Sequence, residues 1–161
     1  MTHDAIIQTL SACPLFADLG RGAVERVADY FDVLEGAVGD RLYSEGDSVV
    51  GLYVVIEGEL VAKVTGADGR EHNIRTVRPG DVFGEMSLLL RGERLITIEA
   101  TQPVRVLELS EASFSRMKRE DADACLLVIM ALVRRFGRAL DGSREVLKRI
   151  LLRYLAGVDG A

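Results

Sequence analysis

One stretch of the chain, residues 80–99, has the sequence GDVFGEMSLLLRGERLITIE. It places the carboxylate of Glu85 between a glycine and a short apolar run, and it sets a single arginine, Arg94, beside the aliphatic residues that follow. Charged side chains are rarely buried without a partner, because removing a charge from water is costly. Glu85 and Arg94 therefore either pair with each other or bind a ligand that is not protein.

Short apolar segments separated by glycine turns surround this stretch. Turn signals such as Gly58 and Asp68-Gly69 lie between the segments, and Asp68-Gly69 predicts a hairpin. Many short strands at this spacing are typical of a closed or rolled antiparallel barrel, which we place at residues 33–110. The predicted strands are residues 40–43, 52–56, 59–65, 72–77, 94–100 and 104–109.

Helical signals flank the predicted barrel on both sides. Apolar residues recur at helical spacing within residues 4–31, and we assign about residues 1–32 to N-terminal helices. On the other side, Asp121 or Asp123 can cap a long helix that runs to Leu140.

The chain after residue 110 is predicted to be helical throughout residues 111–161, with one interruption. Asp141-Gly142-Ser143 is expected to break the long helix, and the apolar spacing over residues 143–154 predicts a second, amphipathic helix. We therefore predict one domain over residues 1–161.

Side chains of the long helix are assigned by their residue types and spacing. We predict core packing for Leu127, Met130 and Phe136, with a dimer seam as the alternative. Arg134 and Arg135 are predicted to lie on a solvated face, from which either could reach over a bound ligand.

The composition is that of an ordinary globular chain, and a formal net charge of −5 gives no general attraction for nucleic acid or anionic membranes. Cys13 and Cys125 lie far apart in sequence and are expected to be buried or idle thiols in a reducing compartment. Asp4 interrupts the only candidate signal peptide, and the longest uncharged run, residues 124–133, is shorter than the ~20 residues that span a bilayer. We expect a cytoplasmic protein without a membrane span.

The quoted stretch combines groups that suit a sugar phosphate. If Gly84-Glu85 lies where the barrel opens, residues 87–90 can form one helical turn whose first N–H groups attract an anion. Arg94 would add paired donors in the fork geometry that matches a phosphate. Glu85 could accept a hydrogen bond from a hydroxyl of the same ligand.

Residues 78–100, RPGDVFGEMSLLLRGERLITIEA, resemble the phosphate-binding cassette of the cyclic-nucleotide-binding domain family. That family includes bacterial catabolite activator proteins and the regulatory subunits of the cAMP-dependent kinase. The matching residues are Gly80-Asp81, Phe83-Gly84-Glu85, Ser87 with the apolar residues after it, and Arg94 at the family's distance from Glu85. The upstream segment YSEGDSVVGLYVVIEGEL, residues 43–60, also resembles the family.

The resemblance implies a mainly β fold with flanking helices. We expect an antiparallel β-roll or jelly-roll barrel (a double-stranded β-helix), N-terminal helices, a short cassette helix within residues 80–98, and C-terminal helices. It also implies that Glu85 accepts from the ribose 2′-hydroxyl, that Arg94 binds the cyclic phosphate, and that the long helix covers the base. In many relatives this helix pairs with its symmetry mate. The implied ligand-binding residues are Phe83, Gly84, Glu85, Met86, Ser87, Arg94, Leu95 and Ile96, with the backbone amides of Gly84, Ser87 and Ile96 around the phosphate.

Leu95 and Ile96 depart from the family pattern, in which small residues usually follow the arginine. Consecutive side chains of a strand point to opposite faces, so we expect one of the two to face the pocket, at a cost of ~1–3 kcal/mol if the space is already filled. The absence of threonine at position 95 favours cAMP over cGMP, because cGMP-selective relatives offer a hydroxyl there. The alternative function is a degenerate domain that serves as a protein-interaction or dimerisation module.

Other functions lack the residues that they require. Only about twenty residues follow Leu140, too few for a helix-turn-helix domain, so we expect no DNA binding. His3 and His72 are the only histidines, which disfavours a metal-dependent cupin enzyme or a haem sensor, and two cysteines are too few for an iron–sulfur sensor. No catalytic arrangement stands out, so we predict a non-enzyme without cofactor or metal.

The expected partners are a cyclic nucleotide and, through the C-terminal helices, another protein or a second copy. A hinge near Asp121 would couple nucleotide binding to the position of the C-terminal helices that the partner senses.

Overall fold

The computed structural model describes residues 1–48, 51–90 and 92–158, with backbone alone at residues 89, 90, 141 and 143–158. Two helices, α1 (His3–Ala12) and α2 (Arg21–Ala28), come first. The strands are β1 (Asp32–Gly36), β2 (Arg41–Tyr43), β3 (Gly51–Glu57), β4 (Leu60–Thr65), β5 (Glu71–Val77), β6 (Val82–Phe83), β7 (Thr97–Ala100) and β8 (Val104–Ser110). The short helix α3 (Glu85–Leu90) separates β6 from β7, and α4 (Glu111–Glu120) and α5 (Ala122–Val158) end the described chain.

The strands form two antiparallel sheets of four strands each, in the orders β1-β8-β3-β6 and β2-β7-β4-β5. No strand pairing joins the two sheets in the described residues, so the structure is an open roll rather than a closed barrel. The predicted mainly β roll with flanking helices is confirmed. The hairpin at Asp68-Gly69 is confirmed too, since β4 and β5 pair on either side of it.

The sheet that contains β3 is buried on both faces. Successive side chains of a strand alternate between faces, and here each face meets a different apolar layer. Leu52 and Val54 pack with the helices, whereas Tyr53 and Val55 pack against the second sheet. A strand buried on both faces must be apolar at every position, and residues 51–55 are all buried.

The strand predictions need three corrections. β1 and β6 were not predicted, and the strand predicted to begin at Arg94 starts only at Thr97. The backbone of Arg94 is bonded to a turn instead of a strand ladder. Its N–H donates to the carbonyl oxygen of Asp47 at 2.8 Å, and its carbonyl oxygen accepts from the N–H of Gly46 at 2.8 Å.

The start of α5 matches the prediction. Asp121 caps the helix, because its carboxylate accepts a hydrogen bond from the N–H of Ala124 at 2.9 Å. Arg26 of α2 donates to the same carboxylate through Nε and Nη2, and this guanidinium holds the pKa of Asp121 below its usual value. The point between α4 and α5 is therefore tied to α2.

The predicted break in the long helix is wrong, because α5 continues without interruption through residues 141–143. A glycine that ends a helix usually adopts positive φ, and Gly142 does not. Glycine inside a helix costs only about 1 kcal/mol relative to alanine, which the flanking helix-forming residues can offset. The amphipathic face predicted for residues 143–154 lies outside the described side chains.

The side-chain predictions for α5 are partly confirmed. Leu127 and Phe136 are half-buried against the core, whereas Met130 is 42% exposed. Cys13 and Cys125 are free, buried thiols, as predicted. Within the described residues, no helix is both long and apolar enough to cross a membrane.

Candidate functional site

A cavity of about 420 Å³ opens between the β6–α3 segment, the residues before β7, and α5. All eight residues that the resemblance implies for ligand binding line this cavity. They are Phe83, Gly84, Glu85, Met86, Ser87, Arg94, Leu95 and Ile96. Further residues also line the cavity, namely Tyr43, Arg75, Val82, Gly92, Glu93 and Arg135, of which only Arg135 was predicted to be able to reach a ligand.

Arg94 is a buried cation, with only 5% of its surface exposed. Its Nη1 donates to the carbonyl oxygen of Gly84 and its Nη2 to that of Gly51, each at 3.2 Å. Nε is buried and has no acceptor. No carboxylate within the described part of the chain forms an ion pair with Arg94, so none of these residues supplies a compensating negative charge.

Glu85 is paired, but with a different arginine. Its Oε1 accepts from Nε of Arg135 at 3.2 Å, and Nη2 of Arg135 also donates to the carbonyl oxygen of Val82 at 3.3 Å. Glu85 and Arg94 therefore do not pair with each other. Arg135 does not lie on a solvated face, since this side chain connects α5 to the first turn of α3. It lines the cavity, in keeping with the alternative that it could reach over a bound ligand.

Gly84 occupies a position that only glycine fits. Its φ is +82°, a left-handed conformation that other residues rarely adopt. A Cβ atom here would lie 2.5 Å from the carbonyl oxygen of Gly51 and 3.0 Å from Nη1 of Arg94. The glycine thus lets the backbone approach the guanidinium closely enough to bind it.

The short helix α3 begins at Glu85, two residues earlier than predicted. Its first N–H groups have no partner within the helix, as at every helix start. Ser87 is buried, and its Oγ donates to the carbonyl oxygen of Gly84 at 2.9 Å. Glu85, Met86 and Ser87 all line the cavity, so the start of α3 lies at its wall.

Leu95 and Ile96 do not alternate as strand residues, because β7 starts only after them. Leu95 is 76% exposed and lies at the cavity mouth, whereas Ile96 is half-buried against the core between the sheets. The expected cost of a bulky strand residue pointing into a filled pocket therefore does not apply in that form.

Arg75 is a second arginine of the cavity. It lies on β5 opposite Ala62, whose side chain is buried between the sheets. The side chain of Arg75 is exposed, and no residue in the described part of the chain makes a hydrogen bond or ion pair with that side chain. Because side chains alternate between the two faces of a strand, the sequence of β5 could have indicated the face on which Arg75 lies. For Arg135 there was no local signal, because its partner Glu85 lies 50 positions away.

No group of three or more metal-ligating side chains occurs among the described residues. His72 is exposed beside the β4–β5 turn, where its Nε2 lies 3.1 Å from Oδ1 of Asp68, as expected for a hairpin residue.

Comparison with known proteins agrees with this geometry. The family model for the cyclic nucleotide-binding domain matches residues 36–121. The cyclic AMP receptor protein of Thermus thermophilus is 30% identical over 110 residues, which are 68% of this chain and 51% of that protein. The cAMP-dependent protein kinase regulatory subunit of Blastocladiella emersonii is 28% identical over 114 residues, 71% of this chain and 28% of that protein.

A solved structure extends the similarity to the fold. The N-terminal domain of a transcriptional regulator from Streptomyces coelicolor A3(2) superposes with a TM-score of 0.72 at 31% identity, covering 83% of this chain and 95% of that one. The chain belongs to the cyclic nucleotide-binding domain family, which confirms the resemblance seen in residues 78–100. It spans about half the length, or less, of the two curated relatives named above.

Proposed function

We propose that this chain is a regulatory domain that binds a cyclic nucleotide, cAMP in preference to cGMP, in the cavity beside α3. The observation that carries the proposal is the buried, uncompensated charge of Arg94. Burying an unpaired charge costs several kcal/mol, and such a charge is stable only when something else supplies the counter-charge.

A cyclic phosphate suits this position. It carries one negative charge and oxygen acceptors, and a guanidinium binds such oxygens through paired N–H donors. The start of α3 contributes further N–H groups and a partial positive charge. The cavity volume of about 420 Å³ lies within the range of about 300–1,000 Å³ that is typical of small-molecule sites.

The choice of base rests on the residues around the mouth. Leu95 offers no hydroxyl for the amino group of guanine, which favours cAMP. Arg75 is the residue that would change this preference, because guanidinium donors match the O6 and N7 acceptors of guanine. A preference for cGMP would therefore point to Arg75.

Isothermal titration of the purified protein with cAMP and with cGMP tests the proposal. We expect saturable binding of both nucleotides at one site per chain, with the lower Kd for cAMP. The melting temperature should rise with ligand, because a ligand at 100 times its Kd adds ~2.7 kcal/mol to the stability of the folded state. No heat and no thermal shift with either nucleotide would reject the proposal.

The same proposal includes a route for the signal, through α5. Arg135 brings this helix into contact with Glu85, the residue expected to accept the ribose hydroxyl. A ribose hydroxyl and Arg135 would then compete for one carboxylate. Ligand binding would release Arg135 and allow α5 to pivot near Asp121, where Arg26 anchors its first turn.

Replacing Arg135 with glutamine tests this route. We expect Arg135→Gln to bind cAMP about two- to five-fold more tightly, the range expected when a partly exposed ion pair no longer has to be broken. Amide hydrogen exchange in α5 of the ligand-free variant should rise toward that of the ligand-bound wild type. Arg134→Gln is the matched control, since Arg134 is the exposed neighbour on the same helix. Weaker or unchanged cAMP binding by Arg135→Gln would contradict the route.

A second candidate function, self-association, is favoured by one surface of α5. Leu126, Met130, Val133 and Leu140 are 57%, 42%, 52% and 63% exposed. Their spacing of four, three and seven positions is that of a coiled-coil seam, and large exposed apolar surfaces mark interaction sites. We therefore propose that two copies pair through this stripe.

Light scattering coupled to size-exclusion chromatography tests the pairing. We expect the wild type to elute as a dimer and the double variant Leu126→Glu/Val133→Glu as a monomer, because four charges would face one another across the seam. Val38→Glu is the control, since Val38 is 63% exposed, more than Leu126 and Val133, but lies before β2. A wild type with the mass of one chain would exclude the dimer.

These proposals assign no reaction to the domain and place it in the cytoplasm, without contact with DNA. Its partners would be the nucleotide and a protein that senses α5, either a second copy or another chain.

A further inference from the structure

We propose that Tyr43 is the positioning residue for the phosphate-binding arginine, because its ring holds the guanidinium of Arg94 in place without neutralising its charge. This inference rests on the proposed function and adds a residue to it. Tyr43 was not assigned to the site from the sequence.

The contact between the two side chains is a cation–π stack. The guanidinium carbon of Arg94 lies 3.8 Å from the centre of the Tyr43 ring, well within the ~6 Å limit of such interactions. Tyr43 is only 4% exposed, so water does not compete for either partner. Burial raises the pKa of Tyr43 to about 12, and the ring is therefore neutral at physiological pH.

Neighbouring rings fix the orientation of Tyr43. Its ring centre lies 5.9 Å from that of Tyr53 and 6.1 Å from that of Phe83, and Tyr53 and Phe83 are stacked at 5.0 Å. Tyr43 belongs to one sheet, and the other two belong to the second sheet. The aromatic rings that orient Tyr43 beneath Arg94 therefore come from both sheets of the roll.

The aromatic stack can orient the guanidinium without cancelling its charge, which a carboxylate could not do. An aspartate or glutamate would orient the guanidinium but would also cancel its charge and compete with an anionic ligand. An aromatic face attracts the cation through its quadrupole and stays uncharged. The ring sets the plane of the guanidinium, the carbonyls of Gly84 and Gly51 engage one nitrogen each, and Nε remains without an acceptor. Arg94 is thereby oriented by uncharged groups.

Two substitutions separate the ring from the hydroxyl. We expect Tyr43→Leu to weaken cAMP binding about 30-fold, the size of a desolvated cation–π interaction. Tyr43→Phe keeps the aromatic face and should bind within about two-fold of the wild type. Tyr30→Leu is the matched control, because Tyr30 is also buried and stacks on an arginine, Arg116 at 4.7 Å, but does not line the cavity. It should bind cAMP as the wild type does.

Nuclear magnetic resonance of the arginine side chains examines the stack in the ligand-free protein. The Arg94 Nε–H signal should be shifted upfield by the ring current in the wild type and in Tyr43→Phe. In Tyr43→Leu that shift should be lost while the backbone spectrum away from β2 is retained. An Arg94 signal with the same position in Tyr43→Leu, or equal cAMP affinity of Tyr43→Leu and the wild type, would overturn the inference. A wild type that binds neither cAMP nor cGMP would instead reject the proposed function, and the Arg94 signal would still decide whether the stack exists.

Discussion

Replacing Arg94 with alanine is expected to weaken cAMP binding by ~2–5 kcal/mol, which is at least about 30-fold in Kd. The reason is that Arg94 is the buried charge of the cavity, and no carboxylate among the described residues compensates it. Without it, the phosphate would enter a partly desolvated site and leave its own charge unpaired. Isothermal titration with cAMP measures the change directly.

The control for this experiment is Arg78→Ala. Arg78 lies in the same cassette sequence, but its side chain is 68% exposed and bonds to Glu59 outside the cavity. A decrease in affinity common to both variants would indicate a general loss of positive charge rather than a phosphate contact. Arg94→Lys keeps the charge without the fork of donors and should bind more tightly than Arg94→Ala but less tightly than the wild type. If Arg94→Ala and the wild type bound cAMP with equal affinity, the phosphate would not bind at Arg94.

The second large effect concerns the fold. Gly58→Ala is expected to lower the free energy of unfolding by ~2–5 kcal/mol, because it combines an unfavourable φ with a steric overlap. Gly58 has φ of +81° in the turn between β3 and β4. A Cβ atom there would lie 2.1 Å from the carbonyl oxygen of Pro103 and 2.9 Å from a methyl group of Val104. The turn at Gly58 packs directly against the chain at Pro103, and this is possible because glycine has no side chain.

Urea unfolding of Gly58→Ala and Gly69→Ala separates the two causes. Gly69 also has positive φ, +73°, but no atom lies within 4 Å of the position that its Cβ would take. We expect only the conformational cost, ~1–2 kcal/mol, in Gly69→Ala. If the two variants lost the same stability, the close approach of Pro103 would have no energetic consequence.

The parts of the fold that the sequence predicted correctly are those with a strong local signal. Glycine turns delimit β3, β4 and β5, and Asp121 has the side chain that a helix start requires. β1 was missed because its residues are mostly exposed or half-buried, so its pattern lacks a clear apolar face. β6 has two residues, too few for any period.

Errors arose where a distant contact decides the local structure. Residues 94–96 look like part of a strand, but the Gly46-Asp47 turn takes the backbone hydrogen bonds of Arg94. The site residues likewise divide into those with a local sequence signal and those placed by distant contacts. The cassette residues were predicted because they are close in sequence, whereas Tyr43 and Arg135 come from a strand and a helix far from the cassette, and only folding brings them to the cavity.

The unbroken helix α5 is long enough to amplify a small displacement. Its 37 residues extend over ~55 Å, and Arg135 lies ~20 Å from the end that Asp121 anchors. If the helix turns about that anchored end as a rigid rod, a displacement of ~2 Å beside the nucleotide becomes ~5 Å at the far end. A helix broken at residues 141–143 would lose that gain at the break. Under the proposed route for the signal, the continuity of α5 makes it a lever, with the ligand acting on its short arm and the sensing partner on its long one.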